Sequence, residues 1–289
     1  MGWMSWEVFR CDVDCAKAPN DCIGERLYQT TADAMVAGGY VAAGYDTVHI
    51  DDCWEQRSPP RDERGRLAPN ATRFPSGMAS LARYMHDRRM RLGTYSDEGT
   101  QTCGKYPGSK GHERVDASTF AEWGVDYLKL DGCNEPHSAY PADYAVMGAA
   151  LRASGRPIVF SCSWPAYLGD NETAKPYERI AAAGCNLWRN WHDVQCNWDS
   201  LSSIIDHFGN HSVRLQAVAG PGRWNDADML LVGAVSARPA PCRARQPTLR
   251  RCSDALSVLC ARGAGVPHPR GGAHTDGPLV SPRVASDHG

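Results

Sequence analysis

Val125-Asp-Tyr-Leu-Lys-Leu-Asp131 (VDYLKLD) is a short β-branched and aromatic run that ends in an acid. Runs of this kind read as buried strands. The same form recurs at Tyr45–Asp52 (YDTVHIDD), Met90–Asp97 (MRLGTYSD), Ile158–Cys162 and Val213–Ala219. Helical stretches alternate with them at Gly24–Gly38, Ser76–Arg89, Asp116–Trp123, Tyr140–Ala153, Pro176–Ala183 and Asp199–Phe208. Strand–helix alternation at this spacing indicates a parallel α/β fold. A doubly wound sheet is the alternative, but no GxGxxG follows the first strand. Several strands close on acids: Asp51 with Asp52, Asp97 and Asp131. A TIM (β/α)8 barrel gathers its chemistry at that C-terminal rim, and it is the expected architecture.

Composition narrows the classes. The chain has 289 residues, 42% hydrophobic and 22% charged, which suits a soluble globular protein of one large domain or two small ones. A net charge of −2 gives no reason to expect nucleic acid or an anionic membrane as partner. No run of about 20 apolar residues exists to span a membrane. Twelve cysteines point to the secretory or lysosomal route. Acceptor sequons at Asn70, Asn171 and Asn210 agree with that. The chain opens Met1-Gly-Trp-Met, without a charged n-region or apolar h-region, so a signal peptide is read as absent from this sequence.

The composition changes near Gly233. All 25 Phe, Trp and Tyr residues precede it. Residues 234–289 hold eight Arg and seven Pro but no Lys or Glu. Few large side chains remain there to offset ordering entropy, so this Arg/Pro/Ala-rich tail is expected to be mostly disordered. Its one stretch compatible with a short helix is Asp254–Ala261. The expected organisation is a barrel over 1–233 and a tail over 234–289.

Four motifs carry chemistry. Alternation along a strand puts Lys129 and Asp131 on one face. A lysine beside a carboxylate favours its ionised form, which suits a nucleophile. An ordinary structural Lys–Asp pair fits the local sequence equally well. Asp51-Asp52-Cys53-Trp54 places two acids beside an indole, as sugar sites do, with a metal site or solvated acids as the alternative. Metal is disfavoured because no His or Glu stands nearby at ligand spacing. Trp188-Arg-Asn-Trp-His-Asp193 supplies a second acid whose aromatic surroundings would raise its pKa. The competing reading is an i,i+4 ion pair of Arg189 with Asp193. Gly220-Pro-Gly-Arg-Trp-Asn-Asp226-Ala-Asp228 reads as a rim loop after the Val213–Ala219 strand; its acids are too closely spaced for an EF-hand.

Taken together, MGWMSWEVFRCDVDC, IDDCWEQR, RFPSGM, LGTYSDEG, TCGKYPGS, AEWGVDYLKLDGC, SCSWPAY, LWRNWHD and AGPGRWNDADMLL resemble the family of lysosomal α-galactosidase and α-N-acetylgalactosaminidase. They occur in the family's order over about residues 1–233. The resemblance implies Asp131 as nucleophile and Asp193 as general acid/base. It implies Asp51, Asp52 and Lys129 as binders of sugar hydroxyls and Trp6 and Tyr95 as pocket walls. Arg189 and Asp228 match binding positions near the sugar's 2-position and the rim. It also implies the disulfides Cys11–Cys53, Cys15–Cys22, Cys103–Cys133 and Cys162–Cys185. Cys196 falls outside these pairs, and Cys242, Cys252 and Cys260 lie in the tail without family counterparts.

The segment Ser161-Cys-Ser163-Trp-Pro-Ala166-Tyr167 bears on the sugar. α-Galactosidases of the family carry larger residues at the positions of Ser163 and Ala166. Small residues leave room for a 2-acetamido group, so terminal α-linked N-acetylgalactosamine is the implied substrate, with weaker action on α-galactose. The implied reaction is retaining hydrolysis without metal or organic cofactor. Family members suggest a homodimer and a lysosomal location. The family's last barrel strand and C-terminal antiparallel β-domain have no counterpart after Gly233. That leaves an open barrel with exposed parallel edges, from which poor folding of the isolated chain is expected. An α-galactosidase, or an inactive truncated isoform or gene-model product that at most binds carbohydrate, are the alternative readings.

Overall fold

The computed structural model describes residues 1–229. The expected tail, its helical stretch at 254–261 and Cys242, Cys252 and Cys260 lie outside the described residues. Seven strands form one sheet: β1 (Gly2–Met4), β2 (Thr47–His49), β3 (Arg91–Asp97), β4 (Tyr127–Asp131), β5 (Val159–Cys162), β6 (Leu187–Arg189) and β7 (Trp224–Asp226). They are all parallel and lie side by side in sequence order. The helices are α1 (Trp6–Phe9), α2 (Glu25–Ala37), α3 (Met78–His86), α4 (Glu113–Trp123), α5 (Tyr140–Ala153), α6 (Trp164–Tyr167), α7 (Tyr177–Ala182), α8 (Trp198–Asn210) and α9 (Ser212–Val218). A parallel sheet wound in strict sequence order, with a helix after nearly every strand, is a TIM-type barrel. Among the described residues it is incomplete, with β1 and β7 as its two edges.

Helix patterning explains the outer layer. In α3 the buried residues are Met78, Leu81, Ala82 and Met85, one stripe at helical spacing. α4 ends at Gly124, whose φ of 80° is the left-handed turn that glycine adopts freely. The Val125 amide then bonds the Phe120 carbonyl, and the chain turns straight into β4. Beneath β4, Tyr144 donates to the Leu130 carbonyl at 3.1 Å and stacks on Trp164 at 5.4 Å. The strand that carries Asp131 is thus fixed from below by hydrogen bonds and aromatic packing. Inside the barrel, His49 is buried edge-on to Tyr127. A Cβ on Gly93 would sit 2.3 Å from the His49 ring, so only glycine fits opposite it.

Two expectations need correction. Val213–Ala219 is not a strand; Ser212–Val218 is helical. Seven residues of alternating apolar character cannot separate the two by period alone. The helix buries Leu215 and leaves Val213 83% exposed, which an inward-facing strand would not do. The Gly220-Pro-Gly turn therefore leads into a strand, β7, instead of following one. β1, β6 and β7 are three residues each, too short to declare a period.

Helix α5 meets the end of α7 at Gly148, where a Cβ would lie 1.9 Å from the Ala183 carbonyl oxygen. Backbone cannot give way there as a flexible side chain would. Gly148→Ala is expected to destabilise the fold by about 1–3 kcal/mol, read from chemical denaturation. An unchanged midpoint would show that the helices can separate freely.

Candidate active site

The strand ends converge on one cavity of about 370 Å³. Its lining comes from β3 (Tyr95), β4 (Lys129, Asp131), α1 (Trp6), α6 (Ala166, Tyr167) and the loops after β2 (Asp51), β5 (Ser163) and β6 (Trp191, His192, Asp193), with Arg189 of β6. Strand register does much of the arranging. Tyr95 pairs with Lys129 and Asp97 with Asp131 across β3 and β4.

Asp131 is held through both oxygens. Tyr95 donates to Oδ2 at 2.9 Å, and the Ser163 hydroxyl donates to Oδ1. Lys129 Nζ lies 3.8 Å from Oδ2 and donates to Asp51 at 2.8 Å. Burial alone would push the Lys129 ammonium down, but Asp131 and Asp51 outweigh it and hold the charge firmly on. The carboxylate of Asp131 therefore has a fixed plane, a cation beside it and one face on the cavity.

Asp193 lies 46% exposed at the mouth. It is gripped by Arg189 and by the Trp6 indole at 3.4 Å. Arg189 is itself held by Asp228 at 2.7 Å. Burial pushes the Asp193 carboxyl up, but the Arg189 guanidinium, with Lys129 and the Trp6 indole, outweighs it and leaves the net shift downward. The aromatic environment was expected to raise it; the i,i+4 ion pair wins instead.

The two adjacent acids diverge. Asp51 faces the cavity and Lys129, while Asp52 turns to the backbone and accepts from the Gly104 amide at 2.7 Å. Asp228 also sits behind the lining, bonding Arg189 and the Val194 amide. The other proposed sugar-site residues, Trp6, Tyr95, Lys129, Ser163, Ala166, Tyr167 and Arg189, all face the one cavity. Local motifs alone did not pick out the Cys103–Cys133 disulfide as part of the wall. Cys103 Sγ lies 3.7 Å from Asp131, and Tyr167 touches both sulfurs at 3.4 and 3.2 Å. Trp191 and His192 were equally unassigned, although both stand beside Asp193 in sequence.

The remaining disulfides join Cys11 to Cys53, Cys15 to Cys22 and Cys162 to Cys185. Two side-chain groups among the described residues have metal-like spacing, Cys11/Asp52/Cys53 and Asp97/Cys103/Cys133. In both, the sulfurs are consumed by a disulfide and offer no thiolate. Of the sequons, Asn171 and Asn210 are exposed and Asn70 is partly buried.

Residues 1–243 match the family described as Alpha galactosidase A. The chain is 50% identical to alpha-N-acetylgalactosaminidase of Mus musculus over 81% of its own length and 55% of that protein. It is 45% identical to human alpha-galactosidase A, covering 54% of it. The solved structure of alpha-galactosidase I from Mortierella vinacea superposes with a TM-score of 0.68 at 32% identity, over 81% of this chain and 59% of that one. The chain therefore spans about half the length of the curated relatives it matches.

Burial raises Glu7 to about 7 and Asp97 to about 8. In the unfolded chain both titrate near the ordinary carboxylate values. The folded state thus keeps protons that the unfolded chain has released, and stability present at low pH is lost as pH rises through 7 and 8. Buried His49 and His207 are lowered to about 3 and 4, so they act on the acid side instead. Thermal midpoints are expected to fall between about pH 6.5 and 8, and Asp97→Asn to reduce the fall. Equal midpoints across that window would refute the assignment.

Proposed function

The chain belongs to the alpha galactosidase A family, and on that premise we propose that it is a retaining α-glycosidase acting on terminal α-linked N-acetylgalactosamine, and more weakly on α-galactose. The observation that carries this reading is the placement of Asp131 and Asp193 on one small cavity in two different settings. Asp131 is anchored by three neighbours beneath the cavity, whereas Asp193 stands at its half-exposed mouth. That division suits a nucleophile and a proton donor.

In the proposed reaction an Asp131 oxygen attacks the anomeric carbon as the glycosidic C–O bond breaks. Asp193 gives its proton to the departing oxygen. Water then attacks the glycosyl–enzyme ester, with Asp193 as base, and the sugar leaves with its configuration retained. Such pairs work at carboxyl separations of about 5–5.5 Å. The Lys129 ammonium and the Tyr95 hydroxyl hold and aim Asp131, and Asp51 accepts from the sugar's hydroxyls. Arg189 opposes the proton that Asp193 must carry, so activity is expected on the acid side of neutrality. A lysosomal location fits that, as do twelve cysteines and the exposed sequons at Asn171 and Asn210.

Ser163 and Ala166 support the acetamido reading. Both line the cavity, and both are small, as a site that admits a 2-acetamido group requires. The second reading is a carbohydrate binder without turnover.

Turnover of aryl α-N-acetylgalactosaminide and aryl α-galactoside by the purified chain separates these readings. Asp131→Asn is expected to fall to background, and Asp193→Asn to lose about 10²- to 10⁴-fold in rate. Ser163→Glu with Ala166→Leu is expected to reverse the sugar preference by about 10- to 200-fold. Saturable binding of the acetamido sugar with no turnover in any variant would favour the binder.

A further inference from the structure

Trp191 follows Asn190 off the end of β6 and precedes His192 and Asp193. Its indole is half-buried and lines the cavity, yet the reaction proposed above gives it no task. It is held from several sides. From α8, His207 lies almost flat against the indole, with centroids 4.0 Å apart and planes 18° from parallel. Ser203 stands one turn earlier in α8, and the indole N–H donates to its hydroxyl at 3.4 Å. The backbone is gripped as well. The Trp191 carbonyl accepts from Arg189 Nε at 3.1 Å. The Asn190 carbonyl, in the peptide just before, accepts from Lys175 Nζ at 2.5 Å. The same ammonium stands 5.3 Å from the centroid of the indole.

Lys175 is buried, and so are the groups behind it. Glu172 meets the ammonium at 3.0 Å and lies 3.4 Å from His207 Nε2. Tyr177 of α7 donates to Glu172 at 2.5 Å and accepts from the Asn190 side chain at 2.8 Å. Arg214 of α9 approaches Glu172 from the more exposed side, at 3.9 Å. Taking an ammonium and a carboxylate out of water is costly, and an apolar pair of the same shape often serves stability as well. What an apolar pair lacks is direction. Lys175 ties one carboxylate, one backbone carbonyl and one ring to a single point, and so fixes how the indole is presented to the cavity.

The place of the indole says what it would meet. In the proposed reaction the cleaved sugar sits against Asp131, and the leaving group lies past Asp193, towards the half-exposed mouth. Trp191 belongs to the loop that carries Asp193, and so to the leaving-group side. An indole packs well against the apolar face of a sugar ring and gains little from a methyl group. We propose that Trp191 is a specificity-determining residue for the leaving group, selecting substrates in which the α-linked sugar is joined to a second sugar ring, and that His207 and Ser203 of α8 with the buried Lys175–Glu172 pair are positioning residues for its indole.

This inference rests on the proposed hydrolysis, and the test separates the two. For the full chain, kcat/KM is measured on a disaccharide of α-linked N-acetylgalactosamine on a hexose and on methyl α-N-acetylgalactosaminide. The ratio of the two values cancels the amount of folded enzyme, so a merely structural loss does not move it. Comparison with the wild type cancels the intrinsic reactivity of the two leaving groups. Trp191→Ala is expected to lower the ratio, disaccharide over methyl glycoside, by about 10-fold, chiefly through KM, and Trp191→Phe to restore most of it. His207→Leu, and Glu172→Gln combined with Lys175→Met so that neither charge is left alone, are each expected to lower it by about 3-fold. Ser203→Ala, at an exposed hydroxyl, is expected to lower it by about 2-fold, and decides for the positioning residues where the buried variants fail to fold. An unchanged ratio in Trp191→Ala overturns the proposal, and unchanged ratios in the folded positioning variants overturn its second half. Where no variant turns over either compound, the same ratio is read from Kd by calorimetry. A preference for the disaccharide that is lost in Trp191→Ala would then leave the proposal standing and defeat the hydrolytic reading alone. Equal affinity for the two compounds, or binding of neither, would overturn it.

Discussion

Lys129 brings a full positive charge into a nearly dry place between strands. A buried ammonium persists only when carboxylates stand against it. Here Asp51 comes from the end of β2 and Asp131 from the same strand, two residues on. Satisfying that charge forces the ends of β2 and β4 to one side of the barrel mouth. Tyr95, the register partner of Lys129 in β3, then meets Asp131 with its hydroxyl. The wall, the anchor and the carboxylate of the cavity are consequences of neutralising one cation at the centre.

A second, looser electrostatic group surrounds Arg189. It ties Asp193 to Asp228 and reaches α1 through Trp6. The two groups differ in their contact with solvent. Asp131 sits deep and is saturated with donors, while Asp193 is half in water. Two carboxyls of the same chemistry thereby stand in different environments, the condition under which such groups can take different tasks.

Much of this was legible in the residues, for specific physical reasons. β3 and β4 are long enough, and rich enough in buried side chains, for their period and terminal acids to stand out. α2, α3 and α5 announce themselves by their apolar stripes and their flanking Gly or Pro. Asp51 and Asp52 lie past the end of β2, where strand alternation no longer applies, so the turn of Asp52 to the Gly104 amide was not legible. β1, β6 and β7 did not stand out, because three residues set no period and β7 is made of Trp, Asn and Asp. Val213–Ala219 misled because a short apolar run carries its identity in its packing, and Leu215 alone goes inward. The net downward shift at Asp193 was also out of reach. It depends on whether Arg189 or the indoles lie nearer the carboxyl, a matter of three dimensions.

The Cys103–Cys133 bridge has a consequence for where this cavity can exist. Its two sulfurs form part of the inner wall, in contact with Tyr167 and within 3.7 Å of Asp131. The wall is a product of oxidation, made after synthesis and only where electron acceptors are at hand. In a reducing cytosol the same polypeptide would present two thiols there, free to turn apart. Completion of this wall is therefore tied to an oxidising environment.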